Sequence, residues 1–371
     1  MGSYLLIIFI IFILGQLAFT LWLALGLRTT TTSLSSLKSV SVIIAARNEA
    51  KNLKALIKSL GEQKHPNFEV IIVNDRSTDH SQELLDAYSD LSWLKVLHIE
   101  KTPEQWNGKK YALMEAIKSS KNEVLLFTDG DCVPNNSNWI EKMTEGIDGE
   151  IEVNLGFSNY QNSSGMLNQF IQFDTIATAL LYLGLANKKA PYMAVGRNWA
   201  IARKSYPLEL LKAYGHIIGG DDDLIAQEVC HGKNTIVQLD KDSFTSSIPA
   251  YDWKSYLSQK TRHLSVGSKY SFKIKTLLAI YPFIHGVIWA SLLVLLTTSQ
   301  WNIALLIFGI RSLSFYIIFR RLGQKLDSNF VSWALPLVEF CYPFWYAFVG
   351  IRSLAAKHIE WKAENSFLKK H

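Results

Sequence analysis

The sequence predicts an α/β domain, with a mostly parallel sheet covered by helices and with membrane-spanning helices on either side. Between residues 41 and 128, short β-rich runs alternate with segments whose apolar residues recur at helical spacing. Such alternation is typical of parallel strands joined by crossover helices. Long apolar stretches lie near both ends of the 371-residue chain, and they approach or exceed the roughly 20 residues that cross a bilayer.

The elements predicted for the α/β region follow the order βαβαβαβ. Its strands are SVIIAA at residues 41–46, FEVIIV at 68–73, WLKVLHI at 93–99 and EVLLFT at 123–128. Its helices are AKNLKALIKSL, which ends at Gly61, a segment at residues 81–88, and a segment after Gly108. The motifs GxGxxG and GxxxxGK[ST] do not occur in the sequence, which argues against a dinucleotide site and a P-loop.

The apolar stretch at residues 4–27 is predicted to be a retained membrane anchor. Residues 1–3 carry no positive side chain, and no small-x-small site follows the stretch, so a cleaved signal peptide is disfavoured. Further candidate spans are residues 277–296, 303–319 and 330–351. Pro336 and Pro343 could break the last of these into a re-entrant or interfacial piece, and its topology is left open.

The distribution of Lys and Arg predicts that the chain between Arg28 and Lys275 is cytoplasmic. Cys132, Cys230 and Cys341 have no metal-ligand spacing and indicate neither a disulfide framework nor a zinc site. The expected organisation is an anchor (1–27), a linker (28–39), a cytoplasmic α/β domain (40–250), an interfacial amphipathic segment (251–275), a membrane region of two to three spans (276–351) and a basic tail (352–371).

Polar residues follow three of the predicted strands. Arg47 and Glu49 follow the first strand, Asp75 follows the second, and Asp129 and Asp131 follow the fourth. Because the carboxyl ends of parallel strands meet at one edge of a sheet, these side chains are expected to share a ligand site.

Asp129 and Asp131 are separated only by Gly130. Two such carboxylates suit Mg²⁺ or Mn²⁺, which completes its shell with water and substrate phosphates. The alternative is that they cap a helix beginning near Ser137. Asp75 could accept hydrogen bonds from a base or ribose, and Lys109 could offer its ammonium to a phosphate.

The ordered set IIAARNE, VNDRSTD, GKKYAL and TDGD resembles the nucleotide-sugar half of family 2 glycosyltransferases, over about residues 40–135. VGRNWAIARKS at residues 195–205 and GGDDDLIAQE at 219–228 are similar to the family's next two segments. QKTRH at 259–263 resembles the QxxRW signature of membrane-bound members, with His263 in place of tryptophan. One anchor before the domain and several spans after it resemble the layout of ceramide glucosyltransferase-like and carotenoid glucosyltransferase-like enzymes.

This resemblance implies a GT-A-type, Rossmann-like fold for the mixed, mostly parallel sheet, with residues 40–250 as the catalytic domain. The catalytic base would be Asp221, three positions before Leu224, where Gly220 replaces the family's glutamate and leaves Asp222 as the alternative. Asp223 could instead be an acidic first turn of a helix. The metal ligands would be Asp129 and Asp131, and the donor-binding residues Ala45, Arg47, Glu49, Asp75, Lys109, Asp129, Gln259, Arg262 and His263.

The expected function is inverting transfer of a sugar from a nucleotide-sugar, UDP-linked, to the hydroxyl of a membrane-associated, lipid-like acceptor. The enzyme would be a multi-pass protein of the cell (inner) membrane, dependent on Mg²⁺ or Mn²⁺, with no nucleic-acid partner and with its oligomeric state open. The alternatives are a processive polysaccharide synthase and a catalytically inactive membrane scaffold.

Two features of the membrane region add expectations. Residues 251–270 interleave aromatic residues and leucines with cations directly before a candidate span, as a helix lying in the membrane interface would, although an ordinary amphipathic surface helix shows the same mixture. His285, Arg311 and Glu339 fall near the middle of their candidate spans, where a charge requires a partner or a cavity. Arg311 and Glu339 are therefore expected to pair, or to line the entry of the acceptor.

Overall fold

The structure is a computed structural model that describes residues 2–30, 37–328, 330 and 332–355. The chain divides into two compact units. The sheet unit contains residues 28–161 and 186–248, and the helical unit contains residues 1–27, 162–185 and 249–356. Part of the expected linker, residues 31–36, and the expected basic tail from residue 356 onward lie outside the described residues.

The strands of the sheet unit form two sheets. The larger has the order β3-β2-β1-β4-β8-β6-β9, and the smaller has the order β5-β10-β7. The strands are β1 (Val40–Ala46), β2 (Phe68–Asp75), β3 (Leu94–Ile99), β4 (Val124–Phe127), β5 (Cys132–Pro134), β6 (Val153–Leu155), β7 (Ser158–Tyr160), β8 (Trp199–Ala202), β9 (Thr235–Val237) and β10 (Thr245–Ser247).

The helices of the described residues alternate with these strands in the sheet unit and dominate the helical unit. They are α1 (Gly2–Gly26), α2 (Ala50–Gly61), α3 (Ser81–Asp86), α4 (Gly108–Ser119), α5 (Trp139–Thr144), α6 (Met166–Asn187), α7 (Leu208–Ala213), α8 (Asp223–Val229), α9 (Trp253–Val266), α10 (Phe272–Leu295), α11 (Trp301–Lys325) and α12 (Leu335–Ala355).

The predicted βαβαβαβ alternation is confirmed by the first half of the large sheet. Strands β3, β2, β1 and β4 are parallel, whereas β8 runs antiparallel to both β4 and β6. Every residue of β1 is buried, as expected for a β-branched strand covered by helices on both faces. Helix α2 packs against the same core with Leu53, Leu56, Ile57 and Leu60. The carboxyl ends of β1, β2 and β4 therefore lie side by side.

The helical unit contains α1, α9, α10, α11, α12 and most of α6. By length and composition, α1, α6, α10 and α11 are long and apolar enough to cross a membrane. The sequence analysis placed the segment of α6 inside the α/β domain, whereas the structure groups it with the apolar helices. In the most apolar stretch of α6, 78% is buried, against 22% in α1, so much of its apolar surface is covered by protein.

The segment around Pro336 and Pro343 forms one helix, α12. Pro336 lies in the first turn, where the missing N–H has no helical partner to lose, and Pro343 is accommodated inside the helix. Neither proline therefore breaks the helix among the described residues, and the topology that the sequence left open is not decided by it. Whether α12 crosses a membrane stays a prediction.

A buried polar cluster joins α1, α10, α11 and α12 within the helical unit. Arg311 forms an ion pair with Glu339 through Nη2 and Oε1, which confirms the predicted pair. Arg311 also donates to Gln16 Oε1 from Nε at 3.0 Å and from Nη2 at 2.7 Å. His285 Nε2 lies 2.8 Å from the Glu339 carbonyl oxygen, and its Nδ1 lies 2.9 Å from Gln16 Nε2. Opposite charges among these apolar helices are thus paired with each other.

Candidate active site

The loop after β1 is tied to the loop after β2. Asn48 adopts a left-handed conformation with φ of 55°, which is uncommon for a residue with a side chain. Its backbone N–H donates to Ser77 Oγ at 2.9 Å, and its Oδ1 accepts from the Thr78 N–H at 2.8 Å. The Glu49 N–H donates to Ser81 Oγ at 3.0 Å. Two strand ends that the sequence predicts to be neighbours are therefore held together by their own polar groups.

The three predicted donor residues of the first strand end differ in exposure. Ala45 is buried within β1, opposite Val73 of β2. Arg47 is half-buried just after the strand. Glu49 is buried and accepts from Asn52 Nδ2 at 2.6 Å. Their places at the sheet edge agree with a donor site, and their contacts with a donor stay predictions.

The Asp75 carboxylate ends β2 and is completely buried. Both of its oxygens accept hydrogen bonds from Arg76, Oδ1 from Nε at 2.7 Å and Oδ2 from Nη2 at 3.0 Å. Arg76 has φ of 50°, and its hydrogen bonds to Asp75 raise the pKa of its guanidinium. The sequence analysis missed Arg76, although it lies inside the quoted motif VNDRSTD. A ligand that contacts Asp75 would also meet this arginine.

The Lys109 ammonium joins two acids that are remote in sequence. Its Nζ lies 2.9 Å from Asp129 Oδ1 and 2.8 Å from Asp221 Oδ2. Burial alone would lower the pKa of Lys109, but the charges of Asp129 and Asp221 raise it above its ordinary value. The structure thus brings together three residues for which the sequence predicts phosphate binding, metal binding and proton transfer.

Asp129, Asp131 and Cys132 each place one ligand atom within 4.8 Å of the others. Burial raises the pKa of the Cys132 thiol well above its ordinary value, and sulfur is a soft ligand that hard cations do not prefer. The two carboxylates supply the oxygen ligands that Mg²⁺ and Mn²⁺ prefer. The next helix, α5, has Asn138 as its N-cap residue. The alternative in which Asp129 and Asp131 cap that helix is therefore wrong.

The acidic run begins after two glycines in the left-handed region. Gly219 and Gly220 have φ of 76° and 74°, a conformation that residues with a Cβ rarely adopt. The backbone path therefore explains why glycine stands at position 220, where the resemblance predicts glutamate.

Asp222, rather than Asp223, caps the following helix. Asp222 Oδ1 accepts from the Asp223 N–H at 2.8 Å, and Asp222 Oδ2 accepts from the Gly196 N–H at 2.5 Å. The expected acidic first turn is present at Asp223, whose Oδ1 accepts from the Leu224 N–H at 2.8 Å.

The two candidate bases differ in their electrostatics. Burial opposes the charge of Asp221, but Lys109 outweighs it and holds the pKa of this carboxyl below its ordinary value. Burial and the neighbouring charge of Asp221 together raise the pKa of Asp222 to about 6. One carboxylate is therefore held ionised, while the other titrates near neutral pH.

These groups face a common cleft in the sheet unit. Its walls are formed by the ends of β4 and β8, by α4 and by the acidic run. The lining residues are Lys109, Leu113, Phe127, Thr128, Asp129, Gly196, Trp199, Asp221 and Asp222. Phe127 and Trp199 stack with their ring centres 4.8 Å apart, which makes one wall rigid and apolar.

The comparison with known proteins finds a family match for part of the chain. A family model described as Glycosyl transferase family 2 matches residues 41–197, which include Lys109, Asp129 and Asp131. This part of the chain is similar to glycosyl transferase family 2.

Relatives of the chain include two glycosyltransferases. It is 26% identical over 245 residues to 4,4'-diaponeurosporenoate glycosyltransferase of Staphylococcus haemolyticus, covering 62% of this chain and 62% of that protein. It is 32% identical over 117 residues to glycosyltransferase AglE of Haloferax volcanii, covering 31% of this chain and 37% of that protein. The matched part therefore spans less than two thirds of either relative.

The fold of the chain is similar to that of a solved mannosyltransferase, PcManGT from Pyrobaculum calidifontis in complex with GDP-Man and Mn²⁺. The TM-score is 0.61 at 16% identity, and the match covers 95% of this chain and 99% of that one. This likeness confirms the predicted GT-A-type α/β fold with a mixed, mostly parallel sheet.

Arg197 is a further cation of the candidate site that the sequence analysis missed. It is half-buried, its guanidinium lies 4.3 Å from the centre of the Tyr160 ring, and its Nη1 donates to Ser247 Oγ at 2.7 Å. Burial would lower its pKa, but the charges of Tyr160, Cys132 and Asp131 raise it. The quoted segment VGRNWAIARKS contained this residue, yet only the packing reveals its position near the acid pair.

The remaining predicted donor residues, Gln259, Arg262 and His263, lie on α9 in the helical unit. Gln259 and Arg262 are half-buried, and His263 is exposed. Their role in binding a donor stays a prediction.

Proposed function

We propose that this protein transfers a sugar from a nucleotide-sugar to the hydroxyl of a membrane-associated, lipid-like acceptor, with inversion at the anomeric carbon. The observation that carries the proposal is the Lys109 ammonium, 2.9 Å from Asp129 on the donor side and 2.8 Å from Asp221 on the acceptor side. Inverting displacement needs a base and a stabilised leaving group on opposite sides of one carbon. The cleft offers a group for each role.

Asp221 is the proposed base. In the transfer step, the acceptor oxygen bonds to the anomeric carbon, the bond from that carbon to the phosphate oxygen breaks, and Asp221 takes the hydroxyl proton. Lys109 supports this role because it keeps Asp221 ionised. Both oxygens of Asp222 accept backbone hydrogen bonds, from Gly196 and Asp223. Because the backbone engages both of its oxygens, Asp222 is the proposed shaping residue of the acidic loop, although its raised pKa makes it the stronger base of the two carboxylates.

Asp129 and Asp131 are the residues that would hold Mg²⁺ or Mn²⁺. When bound, such an ion neutralises the charge that develops on a leaving diphosphate. Lys109 contributes a second positive charge to the same place, and Arg76 with Asp75 supplies polar groups at the neighbouring strand end. The PcManGT structure contains GDP-Man and Mn²⁺, so the donor screen includes GDP-sugars beside the UDP-sugars predicted from the sequence.

A lipid-like acceptor is supported by the apolar helices α1, α10 and α11, which are long enough to cross a membrane. The Staphylococcus haemolyticus relative is named for 4,4'-diaponeurosporenoate, and an apolar acceptor of that kind agrees with a membrane-embedded enzyme. Lys and Arg flanking these helices favour a multi-pass protein of the cell (inner) membrane with the catalytic domain in the cytoplasm.

The test combines product analysis with two matched variants. Mass spectrometry of membrane lipids, with and without the gene, should show a lipid that carries one added sugar, and the purified protein should make it from one nucleotide-sugar of a UDP and GDP panel. A polymeric product would instead indicate a processive synthase. The absence of both transfer and donor hydrolysis across the panel would indicate an inactive scaffold.

Asp221→Asn should lower kcat by about a hundred- to ten-thousand-fold and leave donor affinity unchanged, because a base acts in the transition state. Asp222→Asn keeps a side chain that can cap α8 and should retain more activity. If Asp221→Asn keeps normal turnover and Asp222→Asn loses it, the base is Asp222. If both keep it, the proposed base is wrong.

A further inference from the structure

Asp174 on α6 is a buried carboxylate, 1% exposed, that is contacted by polar groups from two other helices of the helical unit. From α9, the Tyr256 hydroxyl donates to Oδ2 at 2.6 Å and the Lys260 ammonium forms an ion pair with the same oxygen. From α12, the hydroxyls of Tyr342 and Tyr346 donate to Oδ1 at 3.1 and 2.5 Å. The carboxylate is thus the point at which α6, α9 and α12 meet.

The contacts of Asp174 fix the position of α9 more narrowly than apolar packing would. A buried charge is tolerated when an opposite charge and hydrogen bonds satisfy it, and Asp174 has Lys260 together with three hydroxyl donors. Aromatic rings surround the pair, with Tyr256 stacked on Trp345 at 5.5 Å. A small shift of α9 would break directional contacts at once, whereas aliphatic contacts would adjust gradually.

Helix α9 also carries the side chains of the QxxRH segment. Tyr256 and Lys260 are four residues apart on one face, and Gln259 and His263 are four apart on the adjoining face. Successive residues of a helix are rotated by about 100° around its axis and displaced by about 1.5 Å along it. Two residues held to one carboxylate therefore determine both the rotation and the axial position of the whole segment.

We propose that Asp174 is a positioning residue that sets the placement of Gln259, Arg262 and His263 through α9. The inference rests on the proposed function and on the predicted role of these three side chains in binding its nucleotide-sugar donor. In this role Asp174 does not contact a reacting group. It acts through Lys260 and Tyr256.

The experiment uses the full-length protein in lipid nanodiscs with four variants: Asp174→Asn, Tyr346→Phe, Arg262→Lys and the double variant Asp174→Asn with Arg262→Lys. Hydrogen exchange of the α9 amides and the KM for the donor are measured on each. Asp174→Asn should speed exchange in α9 and raise the donor KM by about tenfold, with a smaller change in kcat. Arg262→Lys should then have a clearly smaller effect in the Asp174→Asn background than in the wild type.

Glu339→Gln is the matched control, since Glu339 is a second buried carboxylate that pairs with a cation within the described part of this unit. It removes a different buried ion pair, so any faster exchange should not be selective for α9, and the effect of Arg262→Lys should keep its wild-type size. Tyr346→Phe, which removes one hydroxyl from Asp174, should reproduce the α9 change in milder form and keeps the test decisive if Asp174→Asn does not fold.

Two failures can be told apart. If Arg262→Lys alone leaves the donor KM unchanged, the donor role of α9 is wrong, whatever Asp174 does. If Arg262→Lys raises the KM while the Asp174 and Tyr346 variants leave α9 exchange unchanged, or add to Arg262→Lys without coupling, the positioning role of Asp174 is wrong and the donor role of α9 survives.

Discussion

Replacing Gly108 by alanine places a methyl group against the Asp75–Arg76 ion pair. A Cβ at this first residue of α4 would lie 2.3 Å from Asp75 Oδ2 and 2.4 Å from Arg76 Nη2. Nonbonded heavy atoms prefer separations of about 3.5 Å or more, so both polar groups would have to move by roughly 1 Å. Asp75 is completely buried and has little room to do so.

Two opposing effects decide how much Gly108→Ala changes the free energy of unfolding. Alanine is favoured over glycine by at most about 1 kcal/mol in a helix. Crowding a packed site costs about 1–3 kcal/mol, and disturbing a hydrogen bond to a charged group costs about 1.5–3 kcal/mol. The net effect should lower the free energy of unfolding by about 3 kcal/mol. Separately, a nucleotide that contacts the displaced ion pair should bind roughly thirtyfold more weakly, because misplacing a hydrogen bond to a charged group costs about 2 kcal/mol of binding free energy.

The assay is isothermal titration with UDP and GDP, alongside the Tm of each variant. Gly309→Ala in α11 is the control, because no atom lies within 4 Å of its added Cβ, and it should change neither nucleotide affinity nor activity. Nucleotide affinity within twofold of wild type for Gly108→Ala would refute the reasoning. A lower Tm with unchanged affinity would show that the Asp75–Arg76 pair is structural and lies outside the donor site.

Three further predictions concern the metal, the acidic loop and the apolar helices. A chelator should abolish turnover reversibly, and Asp131→Asn should lower activity far more than Tm; full activity in excess chelator would contradict a metal-dependent mechanism. The raised pKa of Asp222, about 6 against 3.8, contributes stability that is present below the unfolded value and lost as pH rises through the folded one. Asp222→Asn should therefore gain in Tm relative to wild type between about pH 4 and pH 7 in thermal scans, and a constant difference would contradict this sign. Arg311→Met should destabilise the protein by about 3–5 kcal/mol because it leaves Glu339 buried and unpaired. Adding Glu339→Leu should restore much of the loss in denaturation assays, and no restoration would contradict the pairing as the cause.

Several features of the fold could be predicted from short stretches of sequence. The periods of the apolar residues predict β1 to β4 and the helices between them, with boundaries that differ from the structure by a few residues at most. The rule that parallel strands end at one edge predicts that the acids after β4 lie near the polar residues after β1 and β2. Each of these signals is local, since it depends on neighbours within one or two helical turns.

Other features depend on contacts between distant segments. The sequence analysis did not single out the segment of α6, and only its partners show that it belongs with the helical unit. Arg76 and Arg197 are single charged residues in loops, and neither spacing nor composition separates them from solvated side chains. Their importance becomes visible only through the ring, carboxylate and hydroxyl groups that surround them.

The sequence by itself determined the α/β class, the apolar helices at both ends, the family resemblance and the residue types of the candidate site. Only the tertiary structure decided that Lys109 bridges Asp129 and Asp221. It also decided that Asp222 accepts hydrogen bonds from backbone N–H groups, and that Asp174 on α6 is contacted by α9 and α12. The physical reason is the separation along the chain over which each kind of interaction acts. Periodicity and turn chemistry act between neighbours in the chain, whereas the energy of a buried charge depends on which distant groups the fold brings within about 3 Å of it.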